Sequence, residues 1–233
     1  MRIMYDNLLK TATLSATNEN VNYPIANTFH KWKRKVFKSS VATTVITAVL
    51  DTPTTISAVA FAYHNLLSGT VAFYNSANTL LGTWTLDVSL DTQSQYGTVS
   101  NVAKVVFSLA SLTTISLGSL FVGDSIYSMK ESTQDIPLAS TDSVTSSSDS
   151  QVSGRGGSVT RSGTITIPLL SSDERKAIEL AFVTCGMIQP FFLDLWDSSH
   201  AHFSPVYGVF NSDLTVTHEW DFDSISFNFK EVN

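Results

Sequence analysis

Two short stretches carry the residue types that acyl transfer needs. Gly123-Asp124-Ser125 follows an apolar run, and Asp197 stands three residues before His200 in "DSSH". In such a set Ser125 would attack an acyl carbon, His200 would take its proton, and Asp197 would orient the imidazole. "HAHFSP" places His200 and His202 at i and i+2, one side of an extended chain, with Asp194 or Asp197 as a third ligand for a metal. Asp194, Asp197, Glu219, Asp221 and Asp223 are the acids from which a glycosidase pair would be drawn, but spacing alone does not set their separation. The plainer reading is ordinary turn chemistry: a strand ending at Phe121-Val122, and acids and histidines at strand ends. His218 shares a strand face with Leu214, Val216 and Trp220, which points to a buried or interface position. No Walker loop, dinucleotide fingerprint or zinc motif is present, so neither cofactor nor metal is expected.

A binding role would draw on other residues. "HKWKRKVFK" gathers Lys31, Lys33, Arg34, Lys35 and Lys38, five of the fourteen basic residues, around Trp32 and Phe37. Trp32, Lys33, Arg34 and Lys35 are the candidate contacts for a glycan or an acidic partner. The net charge of -6 argues against nucleic-acid binding, which runs on displaced counterions. Trp32, Trp84 and Tyr96 have rings that could stack on sugars, against the plainer alternative of core or rim packing.

The elements that must position these residues are mostly strands. The chain is 43% hydrophobic and only 15% charged, with Ser and Thr filling the gap, a mix suited to half-buried pleated surfaces. "TTVITAVL", "TISAVAFAYH", "GTVAFYNS", "LLGTWTLDVSL", "VAKVVFSL" and "TTISLGSLFVG" recur at the spacing of a sandwich or barrel. Val59, Phe61 and Tyr63 alternate with Ala58, Ala60 and Ala62, apolar on both faces, the mark of a central strand. "SSDERKAIELAFVTCG" is the one convincing helix. Ser171 and Glu174 have capping-box spacing, Ala177, Ile178, Ala181, Phe182 and Cys185 form a stripe, and Gly186 is a stop. Cys185, the single cysteine, therefore reads as core, and no intramolecular disulfide can form. Strands "PFFLDLW", "SPVYGVF", "LTVTHEW" and "DSISFNFKEV" follow. The fold class expected from these runs is mainly β: a sandwich or barrel, then a small antiparallel sheet flanked by one helix. The expected domains are 1–125, a polar Ser-rich arm or linker over 126–157, and 158–233. Ser146, Ser147, Ser148 and Arg155 in the arm would pair with a neighbouring subunit's sheet edge. The apolar runs are too short to insert in a membrane, and no signal peptide is legible.

Two resemblances bear on function. Gly123-Asp124-Ser125 resembles the nucleophile block of GDS-type esterases, although that family sets its serine after the first strand of an α/β fold. The wider one starts at Tyr23, Pro24 and Asn27, continues through His64-Asn65-Leu66 after a buried strand, and closes at "LFVGDSIYSM". This resembles the galactose-binding-like (discoidin-type) jelly rolls of tailed-phage tail proteins. "GRGGSVTRSG", the capped helix, "PFFLDLWD" and "SISFNFKEV" resemble the helix-flanked β domain of distal-tail and tail-tube proteins. The resemblance implies a non-enzymatic virion protein of the tail tip or baseplate, made in the host cytoplasm. It would form a homo-oligomeric ring, a hexamer by family habit, that joins the tail tube to other tail proteins and the host-recognition apparatus. The alternative it implies is an adhesin for host-surface glycans.

Overall fold

The computed structural model describes residues 1–29, 35–127, 133–135, 138–140, 143–146, 152–155, 159–194, 205–219 and 221–232. In chain order the strands are β1 (Arg2–Met4), β2 (Thr13–Ala16), β3 (Phe37–Lys38), β4 (Thr43–His64), β5 (Ser68–Tyr74), β6 (Leu80–Thr85), β7 (Thr92–Ala110), β8 (Ser116–Gly123) and β9 (Ile126–Tyr127). There follow β10 (Thr133–Asp135), β11 (Leu138–Ser140), β12 (Ser143–Ser146), β13 (Val152–Arg155), β14 (Val159–Leu170) and the helix α1 (Ser172–Cys185). The last four strands are β15 (Phe191–Asp194), β16 (Val206–Phe210), β17 (Thr215–Glu219) and β18 (Phe222–Glu231). The protein is mainly β, with antiparallel ladders throughout the described pairings and a single α-helix among the described residues. The chain divides into two compact units, Met1–Ser128 with Phe191–Tyr207, and Met129–Pro190 with Gly208–Asn233.

The first unit is built around two unusually long strands. The sequence predicts separate strands at "TTVITAVL" and "TISAVAFAYH". Instead β4 runs through the polar Asp51–Thr55 segment, with register shifts against β7 between Val49 and Thr54, Thr54 and Ile56, and Ile56 and Ala58. Such irregularities bend a strand, and a proline is tolerated where a ladder bond is already lost. The first half of β4 pairs with β2 and the end of β7, which pairs in turn with β5 and then β6. Its second half pairs with the start of β7 and with β8. Each long strand thus serves both layers of a sandwich. Ile46, Ala48 and Leu50, with Phe73 and Phe107 of the same layer, share one core with Val59, Phe61, Leu117 and Val122 of the other. Full burial of one such side chain contributes about 1.5–3 kcal/mol.

The alternate residues Ala58, Ala60 and Ala62 are also fully buried, as a two-sided central strand requires. What covers them comes from the far end of the sequence. β15 pairs with β1 in the register Arg2↔Asp194, Ile3↔Leu193, Met4↔Phe192. The Phe192 ring meets Phe121, the residue paired with Ala60, edge-on at 6.2 Å, and Tyr207 meets Tyr63, which leaves the strand alternation at a φ of 58°, at 6.1 Å. The expected division at 125 and 158 is corrected accordingly: Phe191–Tyr207 folds with the first unit, because its apolar strand supplies the lid that this alanine face needs.

In the second unit β14 and β18 pair along most of their length, from Ser162↔Lys230 to Leu170↔Asp223. β17 and Gly208–Phe210 of β16 lie on the other edge of β18. α1 crosses this sheet. Its capping box is complete, with Ser171 Oγ accepting from the Glu174 N–H at 3.3 Å and Glu174 Oε2 accepting from the Ser171 N–H at 2.9 Å. Gly186 ends it at φ 51°, a left-handed value that glycine adopts without strain, and its N–H donates to Phe182 O at 2.7 Å. Ile178, Ala181 and Cys185 are buried, alongside Ile165, Ile167, Ile225, Phe227 and Phe229 of the sheet.

The stretch expected to be a polar arm is not unstructured where it is described. β10 and β11 pair with β14, and β12 and β13 form a hairpin with Ser146 opposite Val152 and Arg155 opposite Ser143. Strand pairing is carried by backbone groups, so a Ser/Thr-rich segment can enter a sheet without an apolar face. Ser146 and Arg155 are therefore paired within their own chain, while Ser147 and Ser148 lie outside the described residues.

Candidate functional site

The serine of the acyl-transfer set is held by turn chemistry. Ser125 is half-buried, and its N–H donates to Ser57 Oγ and to Asp124 Oδ1, both at 2.9 Å. Ser57 in turn donates its hydroxyl proton to Asp124, and the two serine oxygens lie 3.3 Å apart. This carboxylate–hydroxyl knot pins the end of β8 against β4. Asp197, His200 and His202 lie outside the described residues. Among the described residues no three His, Cys, Asp or Glu side chains are grouped to hold a metal. None of the described helices is long and apolar enough to cross a membrane.

Of the basic cluster, Lys31, Trp32, Lys33 and Arg34 lie outside the described residues, and Lys35 is exposed. Lys38 sits on β3 with its ammonium 4.5 Å from the Tyr23 ring centre, a cation–π contact. The Tyr-Pro-x-x-Asn element forms a tight loop here. Lys38 N–H donates to Tyr23 O at 3.0 Å, and Asn27 Nδ2 donates to Val36 O at 2.9 Å. Tyr23 stays 37% exposed beside Asn20 and Asn22. Trp84 and Tyr96 are packing residues: Trp84 meets Phe73 edge-on at 4.7 Å, and Tyr96 donates its hydroxyl proton to Asp194 at 2.7 Å. Ser94 donates to the same carboxylate oxygen at 2.9 Å, and the Arg2 guanidinium lies 3.8 Å from the Tyr96 ring centre. Burial first, then the neighbouring Asp194 charge, push the Tyr96 phenol well above its ordinary range.

His64-Asn65-Leu66 is a loop clamp. His64 Nε2 lies 2.8 Å from Leu90 O, and the Leu66 N–H donates to Nδ1 at 3.1 Å. An accepting Nδ1 leaves the proton on Nε2, so both nitrogens are satisfied in the neutral ring. Burial lowers the His64 pKa below its ordinary value, only partly opposed by the Leu90 carbonyl and Asp91. Asn65 donates from Nδ2 to Thr114 O at 2.9 Å and accepts from the Ser116 N–H at 2.8 Å, tying two loops together.

In the second unit the buried alternative for His218 is corrected, whereas the interface alternative is not. The residue is exposed, and Nδ1 lies 2.5 Å from Asp223 Oδ1, while Arg175 Nη1 donates to Asp223 Oδ2 at 2.9 Å. β17 lies outermost, beside β18, and its exposed face turns the imidazole outward.

Two features were missed in reading the sequence. The side of α1 away from its sheet carries Leu180 and Val183, and the turn after Gly186 adds Met187 and Ile188. They are 55%, 77%, 49% and 67% exposed. The exposed side of α1 is polar in its first turns, at Asp173 and Lys176, and apolar only toward its C-terminal end, where the i, i+3 pair Leu180 and Val183 was the available signal. The second is a broad sheet face on the first unit whose paired rows carry a single charge, Lys104.

The fold and these surfaces define a mainly β protein of two units whose most developed candidate features are contact surfaces. No protein-family model and no curated protein matches the sequence. Among solved structures, a chitosan-binding module from the chitosanase/glucanase of Paenibacillus sp. IK-5 is 15% identical over 51% of this chain and 98% of its own, at TM-score 0.44. A Streptococcus pneumoniae fucose binding module is 14% identical over 53% and 99%, at TM-score 0.45. A Clostridium perfringens module solved with GalNAc-β-1,3-galactose is 12% identical over 51% and 100%, at TM-score 0.44. Likenesses this distant do not decide what the present chain binds.

Proposed function

We propose that this chain is a non-enzymatic structural subunit of a larger assembly. In its finer form, drawn from the sequence resemblance, it is a distal-tail or baseplate protein of a tailed phage whose copies form a ring. The observation that supports assembly is the outward side of α1. Leu180 and Val183 near the end of α1, and Met187 and Ile188 in the turn that follows it, are exposed large apolar residues next to a helix whose other side already fills a core. Exposed apolar residues close together in this way are the kind of surface that contact sites are built from. Sedimentation velocity of the full chain tests it. Wild type is expected to sediment as an oligomer, and Val183→Lys to lower its mass while retaining the far-ultraviolet spectrum. A wild-type monomer at all concentrations overturns the reading. Electron microscopy of purified rings, labelled within tails, tests the finer form.

A second reading, a glycan-binding module, is favoured by Tyr23. Its ring is braced by Lys38 and partly exposed beside Asn20 and Asn22, offering an aromatic surface with amide groups near it. Fucose and chitosan are the ligands for which two of the modules above are named. Binding on a glycan array that disappears in Tyr23→Ala supports this reading; silence across the array removes it.

A further inference from the structure

The outer face of the β2-β4-β7-β5-β6 layer is set by register. Its buried partners are Ile46, Ala48 and Leu50 on β4, Val105, Phe107 and Leu109 on β7, and Val71 and Phe73 on β5. The residues between them form three rows across the strands. The first is Thr13, Val49, Lys104, Tyr74 and Leu80; the second is Ser15, Thr47, Val106, Ala72 and Thr83; the third is Val45, Ser108, Thr70 and Thr85. All are exposed or half-exposed. Lys104 is the only charge among them, and it is engaged, with Nζ 2.5 Å from Asn78 Oδ1 and 4.4 Å from the Tyr74 ring centre.

A soluble sheet face normally carries both signs of charge at close spacing. This one offers small, β-branched and hydroxyl side chains, the surface type that stacks against another sheet at about 10 Å. Five strands at ~4.8 Å spacing and five residues at ~3.4 Å each span roughly 24 Å by 17 Å. That is about 400 Å² in projection, which side-chain relief enlarges to the small end of the range around ~800 Å² per partner. A face whose one charge is a single lysine has little to attract a strongly charged partner, and its small neutral side chains can pack against copies of themselves.

We propose that this face packs against the same face of a second copy of the chain, about a two-fold axis that crosses the strands. Lys104 selects that axis. Rotation about an axis along the strands would set the two Lys104 ammonium groups opposite each other, whereas an axis across them sets the first row over the third. Each lysine then faces the Ser108–Thr70 region of its partner, and Thr47, Val106 and Ala72 meet at the centre, where small side chains permit close approach. The contact is isologous and closes on itself. It is independent of the apolar end of α1, so the two surfaces are separable by mutation.

The test is sedimentation equilibrium on the full chain. Val106→Glu and Val106→Lys are each expected to halve the mass of the wild-type particle or raise the dissociation constant of its pairs at least tenfold. Mixing the two variants is expected to restore the wild-type mass, because opposite charges then meet at the centre. Thr70→Lys, at an exposed position, provides a variant that does not burden folding and is expected to weaken pairing in the same direction. Wild-type association left unchanged by Val106→Glu, or loss that the mixture fails to repair, overturns the proposal. Val183→Lys reports separately on the apolar end of α1, so failure of either surface is distinguishable from failure of the other.

Discussion

Replacing Tyr96 by Phe removes one oxygen and leaves the ring, including its contact with the Arg2 guanidinium. The deleted group donates to Asp194 at 2.7 Å, next to the 2.9 Å bond from Ser94 to the same oxygen. A hydrogen bond to a charged acceptor contributes about 1.5–3 kcal/mol when only one partner is removed. A loss of about 2 kcal/mol corresponds to a fall in Tm of ~4–8 °C for a chain of this size. Because β15 is held to β1 beside this carboxylate, calorimetry should be paired with amide exchange at Ile3 and Leu193. Faster exchange at those amides is expected together with the lower Tm. The double variant with Ser94→Ala should lose a different amount from the sum of the two single losses, since both donors share one acceptor atom. There is also an alkaline signature. A phenol raised in the folded state contributes stability that is fully present below its ordinary value of 10.0 and is lost as pH rises through its higher folded value. Tyr96→Phe should therefore flatten the fall in stability above pH 10. A Tm within 1 °C of wild type, with unchanged exchange at β1 and β15, refutes the reasoning.

His64 gives the opposite sign. Its folded pKa lies below the ordinary 6.5, so the unfolded chain binds the proton first and stability falls as pH drops from about 7 through the lowered value. Urea titrations between pH 7.5 and 4.5 should show His64→Gln with a shallower acid loss than wild type. At Gly123 an added methyl would meet the Asp6 carbonyl oxygen at 2.4 Å and the Phe121 ring at 2.9 Å. Because one obstacle is backbone, Gly123→Ala is expected to cost on the order of 2–3 kcal/mol in thermal unfolding. Gly82→Ala, where the nearest atom is Val99 Cγ2 at 3.8 Å, should stay within about 0.5 kcal/mol.

Local patterns were readable in the sequence, and distant partnerships were not. The run "TTVITAVL" is legible as a strand, and the structure buries Ile46, Ala48 and Leu50 within it. Ser171, Glu174 and Gly186 announce both ends of α1 because capping is a matter of three or four neighbouring residues. The two runs "TTVITAVL" and "TISAVAFAYH" read as separate strands because the polar residues between them, Pro53 included, hide the bulged bend through which β4 continues. The first part of β7, "TQSQYGTVSN", escapes notice because its polar residues hide a strand whose partner is the buried end of β4. The pairing of Arg2–Met4 with Phe191–Asp194 leaves no local trace at all. Among candidate contacts, the sequence singles out charges and indoles, while the two surfaces that the structure favours are defined by which residues are left over once the cores are filled. Leu180 and Val183 become conspicuous only when Ile178 and Ala181 are known to face inward.

The return of Phe191–Tyr207 to the first unit has a consequence for how such a chain can be cut and recombined. A fragment ending at residue 128 would keep nearly every strand of the sandwich and still be born with a wound: Ala58, Ala60, Ala62 and Phe121 would face water in place of Phe192 and Tyr207. Exchange of everything after residue 128 between related genes would carry that patch away with the second unit. The heritable module is thus longer than the compact body it encodes, and grafts that respect only the linear boundary should aggregate, whereas those that carry residues 191–207 along should remain in solution.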